Sequence, residues 1–494
     1  MRDLRDVRTA SIVSAQVPSI QPIALKQPGS SSSYSAKRRP PLPPVPSRTQ
    51  GPGRSDSVGA QSKTVKEIRT AIDTLQYPAL DPFVTTMLGY MWASLHWQNA
   101  SAPVTPSPGT PSVLKTLPLE KHFRHPLPIN LNLAHGAHAP MLVILPGLNG
   151  DTSSTRVLAL QEMAQQYGMN YVTLPVPWSL DWINSEPRHN PGILPYEAEV
   201  AYDALNVVKA LYPQYFKHVS LLGFSYGAQW SMGLLKHQKD QGRLNPHAQP
   251  LINASVVNLS PPEALLDSTQ EIDQLRHHIG GDYDIDWLDT PKYYEKVFAE
   301  YDFAHIMDSP LANRKNPTPE KHVIDRVGGR IDLMRAVPVI DARGPNLLPL
   351  NAALLEHGDD LDPQTENDLR DEQEDQVDAY TYAQYIAHYV AQDPWFAAHH
   401  TTIQAVNDTY RYSKLLDEVS GQGVAVMTVG AVDDYILNSA NVSALRHHQT
   451  NPHPDQITRL FDHGGHLGMM YAPQIRAQLF QFLATPPKST ASVG

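Results

Sequence analysis

The chain has 494 residues, an ordinary 41% share of hydrophobic side chains, a formal net charge of −11 and no cysteine. Length and composition allow one large domain with extensions, or two domains, with a sizeable buried core. The acidic balance excludes a general affinity for nucleic acid or anionic membrane, and the missing thiols exclude disulfides, cysteine-ligated metals and a thiol nucleophile.

Residues 1–62 are rich in Ser, Pro, Gln and Arg and poor in large apolar side chains. They cannot bury enough surface to offset ordering entropy, so a disordered arm is expected. Within it, Arg38-Arg-Pro-Pro-Leu-Pro-Pro-Val-Pro-Ser-Arg48 fits two orientations of a proline-rich ligand for an SH3-like partner; a solvated polyproline spacer is the plainer reading. Pro18 and Pro22 interrupt the stretch after Arg2, Arg5 and Arg8, leaving no continuous apolar core of a secretory signal. No apolar run approaches the ~20 residues that span a bilayer. A cytoplasmic protein without an integral membrane span is expected, with an unusual export or organelle signal left open.

Residues 63–112 read as a helical extension and linker. Lys63 to Leu75 sets Val65, Ile68, Ile72 and Leu75 on one helical face, and Asp81-Pro82 has the form of a second helix start, whose apolar face runs through Phe83, Met87, Tyr90, Met91 and Leu95. These helices are expected to dock on the main domain as a brace; a membrane-surface helix would need a basic flank, and none is present. A Pro-, Thr- and Ser-rich linker occupies Ser101 to Ser112.

From residue 113 to 260 short apolar runs alternate with helical stretches, the pattern of an α/β domain around a mostly parallel sheet flanked by helices. The expected strands are Leu127 to Leu133, Met141 to Leu145, Tyr171 to Leu174, Val219 to Leu222 and Ala254 to Leu259. The expected helices are Ser153 to Gln166, Tyr196 to Leu211 and Ala228 to His237. The alternation lapses over 261–421, too long for a connecting loop, and a helical cap or lid insertion is expected there. It holds an acidic segment from Glu356 to Asp378, read as a solvated face, and a helix from Gln376 to Val390 whose Tyr382, Tyr385, Ile386 and Tyr389 read as core packing. The sheet pattern resumes over 422–485 with Gly423 to Val429 and Gln456 to Phe461, closes with a helix from Pro473 to Leu483, and leaves residues 486–494 as a tail.

The chemistry concentrates at strand ends. The run Val219 to Ala228 ends in Gly223-Phe-Ser-Tyr-Gly227, a serine between glycines on a strand-to-helix turn. Such a turn presses the positions two residues either side of the serine against neighbouring backbone, which glycine tolerates, and leaves the serine strained and exposed. A serine hydroxyl needs a base, and the base a carboxylate to hold its tautomer. Gly430-Ala-Val-Asp-Asp-Tyr-Ile-Leu437 comes after one late strand and Asp462-His-Gly-Gly-His-Leu-Gly468 after the next, in the order Ser, Asp, His.

On these motifs, and on Leu145-Pro-Gly-Leu-Asn-Gly150, residues 115–485 resemble the α/β-hydrolase superfamily, and within it the YheT-like esterase branch. The resemblance implies serine hydrolysis of carboxylic esters, often lipidic. It departs from the usual pattern in Tyr435, where proline is common, in a longer cap, and in residues 1–110. Carried over, it makes Ser225 the nucleophile and His466 the base, with His463 the competitor. Asp434, preceding Tyr-Ile-Leu, is the preferred acid and Asp433 the alternative. The amides of Tyr226 and Leu148 would form the oxyanion hole. His463 and His466 lack a third ligand, so no metal and no organic cofactor are implied. The expected activity is hydrolysis of an ester, thioester or lipid substrate through an acyl-enzyme; acyl transfer with the same three residues, and a non-catalytic scaffold recruiting partners through the proline-rich arm, are the alternatives.

Overall fold

The computed structural model describes residues 65–77, 82, 85, 86, 89, 112–279 and 381–485, apart from 149, 153, 246 and 248. The arm over 1–62 with its proline-rich segment, the linker up to residue 111, the acidic segment, the tail and most of the second N-terminal helix lie outside the described residues, as do positions 280–380 of the insertion.

Eight strands form one sheet: β1 (Ser112–Leu117), β2 (Leu127–Asn132), β3 (Met141–Leu145), β4 (Asn170–Thr173), β5 (Val219–Phe224), β6 (Ser255–Leu259), β7 (Ala425–Ala431) and β8 (Gln456–Phe461). Their order is β1-β2-β4-β3-β5-β6-β7-β8. Strand β2 runs antiparallel to both β1 and β4, and every pairing from β4 onward to β8 is parallel. The apolar runs Met-Leu-Val-Ile-Leu of β3 and Ser-Val-Val-Asn-Leu of β6 are buried at every position, as strands covered on both faces must be.

Alternation along the strands divides the core in two. Val143, Leu221, Val256 and Val426 face one side, Leu142, Leu222, Val257 and Met427 the other. Helices flank both faces: α1 (Val65–Asp73), α2 (Thr155–Gln166), α3 (Leu194–Leu211), α4 (Tyr226–Leu244), α5 (Leu265–Ile279), α6 (Tyr382–Tyr385), α7 (Tyr412–Val419), α8 (Ser439–Thr450) and α9 (Pro473–Ala484), with further short helical segments between them. Core residues of α3, α4 and α7 lie with the first face, and those of α1, α2 and α9 with the second. The architecture is α/β, a mostly parallel sheet flanked by helices, as expected.

Ile68 and Ile72 of α1 are buried, and the helix packs on α9 and β8. Tyr382, Tyr385, Ile386 and Tyr389 are buried in the first core, and the helix there changes to a π-helical turn over Ile386–Val390. Several elements differ from expectation, α8 among them, since the sequence pattern predicts no helix between the last two strands. Strand β1 is not among the strands expected from the sequence, because Ser112-Val-Leu-Lys-Thr-Leu117 is a short edge strand with polar residues among its few apolar ones; it gains its partners through six paired positions on β2. Helix α4 begins at Tyr226 and continues to Leu244, because the chain enters the helix directly from Ser225 and a polar stretch without proline extends it past Gly242.

Candidate active site

The chain steps from β3 outward to β4 and then returns to the other side of β3 with β5. The carboxyl ends of β3 and β5 thus meet where the winding reverses, the place at which open α/β sheets present ligand crevices. Pro146-Gly147-Leu148 leaves the end of β3, and Ser225 comes directly after the end of β5.

Ser225 has φ 54° and ψ −129°, a region an L-residue enters only under strain. Packing imposes it. A Cβ on Gly227 would fall 2.0 Å from the Leu145 carbonyl oxygen, and one on Gly223 would fall 2.4 Å from that of Gly227. Ser225 is further held by its own amide, which donates to the Leu259 carbonyl at 2.8 Å. Its side chain remains partly accessible while its neighbours are buried.

The structure brings Ser225, His466 and Asp434 into one hydrogen-bonded chain. Ser225 Oγ lies 2.9 Å from His466 Nε2, and His466 Nδ1 lies 3.1 and 3.0 Å from the two carboxylate oxygens of Asp434. With the ring proton on Nδ1, the imidazole donates to Asp434 and accepts from the serine hydroxyl, the arrangement in which a serine can pass its proton to the ring. His466 and Asp434 are almost fully buried, so their mutual contact is shielded from solvent. Tyr435 sets its ring edge-on to the imidazole with centroids 5.6 Å apart.

Asp433 and His463 lie to one side of that chain. Asp433 Oδ1 accepts the Gly465 amide at 2.8 Å, and its Oδ2 is 3.6 Å from Nδ1 of the half-exposed His463. Burial pushes the Asp433 carboxyl above its ordinary range.

Gly147 packs on the serine: a Cβ there would fall 2.6 Å from Ser225 Cβ and 3.2 Å from its Oγ. That contact sets the turn carrying the Leu148 amide against the serine. The Tyr226 amide, first in its helix, has no intrahelical acceptor and sits at the positive end of the helix dipole. Behind it, Tyr226 is anchored by its hydroxyl, which donates to the buried carboxyl of Glu197, while the Gly192 amide donates to the same carboxyl at 2.6 Å. Burial pushes Glu197 up to about 7, against the opposing pull of the Tyr226 hydrogen bond.

Three residues of this neighbourhood carried no signal in the sequence. Ser260, at the end of β6, accepts the Leu467 amide at 3.0 Å; Thr86, in the N-terminal extension, accepts the His466 amide at 2.8 Å; Glu197 lies in the first turn of α3. Only Ser260 has a readable position, the first residue after a strand in the same sheet as the one that leads into Ser225. Elsewhere His122, Glu199 and Asp203 bring potential ligand atoms within 4.8 Å of one another, but Lys121 ion-pairs with both carboxylates and supplies the positive charge there.

No family model matches the chain, and no curated protein matches it. Solved structures similar to it include the 2-hydroxy-6-oxo-6-phenylhexa-2,4-dienoate hydrolase of Rhodococcus sp. strain RHA1, at 10% identity and a TM-score of 0.38 over 76% of this chain and 99% of that one. The Pyrococcus furiosus esterase Pf2001 is 10% identical with a TM-score of 0.37, covering 78% of this chain and 96% of its own. An esterase of Rhodococcus sp. ECU1013 is 10% identical with a TM-score of 0.36, covering 76% and 100%. At such identities and scores these are likenesses and no more.

Proposed function

We propose that the chain is a serine hydrolase that cleaves carboxylic esters or thioesters with an apolar acyl portion, through an acyl-enzyme on Ser225. The observation that carries this reading is the continuous contact Ser225–His466–Asp434 at a strained strand-to-helix turn. His466 Nε2 takes the Ser225 proton as Oγ bonds to the substrate carbonyl carbon, and Asp434 stabilises the imidazolium. The amides of Tyr226 and Leu148 receive the oxyanion, each such donor being worth about 3 kcal/mol at this stage. His466 then gives its proton to the departing alcohol or thiol, and the acyl group remains on Ser225. A water deprotonated by His466 attacks the acyl carbon, the acid leaves, and Oγ recovers its proton.

The insertion between β6 and β7 is read as a lid over this site. What supports it is the seat of the described part: Tyr385 stacks on Tyr389 and packs near Trp178, whose ring lies edge-on to Tyr226 with centroids 4.8 Å apart. The motifs Leu145 to Gly150, Gly223 to Gly227, Asp433-Asp434 and His463 to Gly468 support the narrower kinship with YheT-like esterases.

The test is turnover of p-nitrophenyl esters of graded chain length by the full chain. Ser225→Ala and His466→Ala should each lose about 10³-fold or more in kcat. Turnover that survives in Ser225→Ala would refute the assignment.

A further inference from the structure

The loop that carries His466 has three consecutive backbone amides directed outward, and each ends on a side-chain oxygen from a different part of the chain. Gly465 N–H donates to Asp433 Oδ1 at 2.8 Å, His466 N–H to Thr86 Oγ1 at 2.8 Å, and Leu467 N–H to Ser260 Oγ at 3.0 Å. Asp433 comes just after β7 and Ser260 just after β6, both in the sheet. Thr86 comes from the extension that precedes the sheet, 380 residues away in sequence.

Thr86 is fully buried, and its hydroxyl proton is committed elsewhere: Oγ1 donates to the Pro82 carbonyl at 2.7 Å, one helical turn back. The oxygen therefore faces the His466 amide as an acceptor with its direction set. The two segments also approach without side chains between them. A Cβ on Gly465 would fall 2.0 Å from the Pro82 carbonyl oxygen and 2.5 Å from Thr86 Oγ1. One on Gly89 would fall 2.4 Å from the Leu467 carbonyl oxygen. Tyr77 adds a bond from its hydroxyl to the Gly468 carbonyl at 2.8 Å. Gly465 at φ 52° and Leu467 at φ 64° bracket the histidine in the left-handed region, a backbone that external contacts must hold.

Resting on the serine hydrolase reading, we propose that Thr86, reaching in from the N-terminal extension, is a positioning residue that fixes the backbone of His466 between the anchors Asp433 and Ser260. A bond at the histidine's own amide acts one Cα from the imidazole, so its loss displaces the ring relative to both Ser225 and Asp434. Displacement of this kind slows proton transfer while leaving substrate binding in place.

The experiment compares full-length parent, Thr86→Val, Thr86→Ser and Ile72→Ala in p-nitrophenyl ester turnover, with melting temperature read alongside. Valine keeps the shape and removes the acceptor; serine keeps the acceptor. Thr86→Val should lower kcat about 10- to 100-fold with KM little changed, the scale expected for misplacement of a reacting group. Thr86→Ser should stay within about threefold of the parent. Ile72→Ala weakens the packing of α1 and leaves the Thr86–His466 bond in place, and its kcat should match the parent's whatever its melting temperature. Should valine unfold the chain, Thr86→Ala carries the same comparison. Parent-like kcat in a folded Thr86→Val, failure of serine to rescue, or an equal kcat loss in Ile72→Ala would each overturn the inference and leave the hydrolase reading intact. A parent without Ser225-dependent turnover would overturn that reading, and this inference with it.

Discussion

Asp434 reaches the imidazole of His466, while its neighbour Asp433 reaches only the backbone of the same loop. The pair accordingly should separate in kinetics. Asp434→Asn keeps the shape but reverses the hydrogen-bond polarity at Nδ1, holding the ring in the wrong tautomer, and should cost about 10⁴ in kcat. Asp433→Asn retains an oxygen for the Gly465 amide and should cost no more than about tenfold. Equal losses, measured as kcat on one ester, would contradict the division of roles. The sequence could bring the choice down to these two acids because both come after a strand and precede apolar residues. It could not separate them, since the direction of each side chain depends on how the turn after β7 leaves the sheet. Thr86 was illegible for a different reason: its partner is a backbone amide far along the chain, and nothing local distinguishes it from any helical threonine.

Among the elements, α3 and α4 are tied by a buried polar contact, Glu197 to Tyr226, and by Trp230 Nε1, which donates to the Glu197 carbonyl at 2.9 Å. Burial raises the Glu197 carboxyl from 4.5 to about 7. The folded chain therefore keeps a proton there that the unfolded chain releases, and the stability so contributed is complete below the unfolded value and is lost as pH rises through the folded one. Melting temperature should fall between about pH 5 and pH 7.5, and should fall less in Glu197→Gln, which stays neutral. Some slope will remain, because burial also pushes Glu263 up to about 7. An unchanged slope in the variant would show that Glu197 is charged throughout. The inner strands were readable because continuous apolar runs leave few alternatives, whereas β1 gains its conformation from pairing with β2 and carries little pattern of its own.

At the scale of the whole molecule, residues from the ends of β3, β5, β6, β7 and β8 and from the N-terminal extension converge on one edge of the sheet. Among the described residues no helix is long and apolar enough to cross a membrane. The chemical consequence proposed for this convergence is a serine oxygen made nucleophilic by the imidazole beside it. The direct test is intact-mass analysis of the full chain after exposure to a fluorophosphonate. A single adduct, mapped to the peptide carrying Ser225 and absent from Ser225→Ala, is the result expected. An adduct that persists in Ser225→Ala, or a folded parent that takes up no probe, would contradict it.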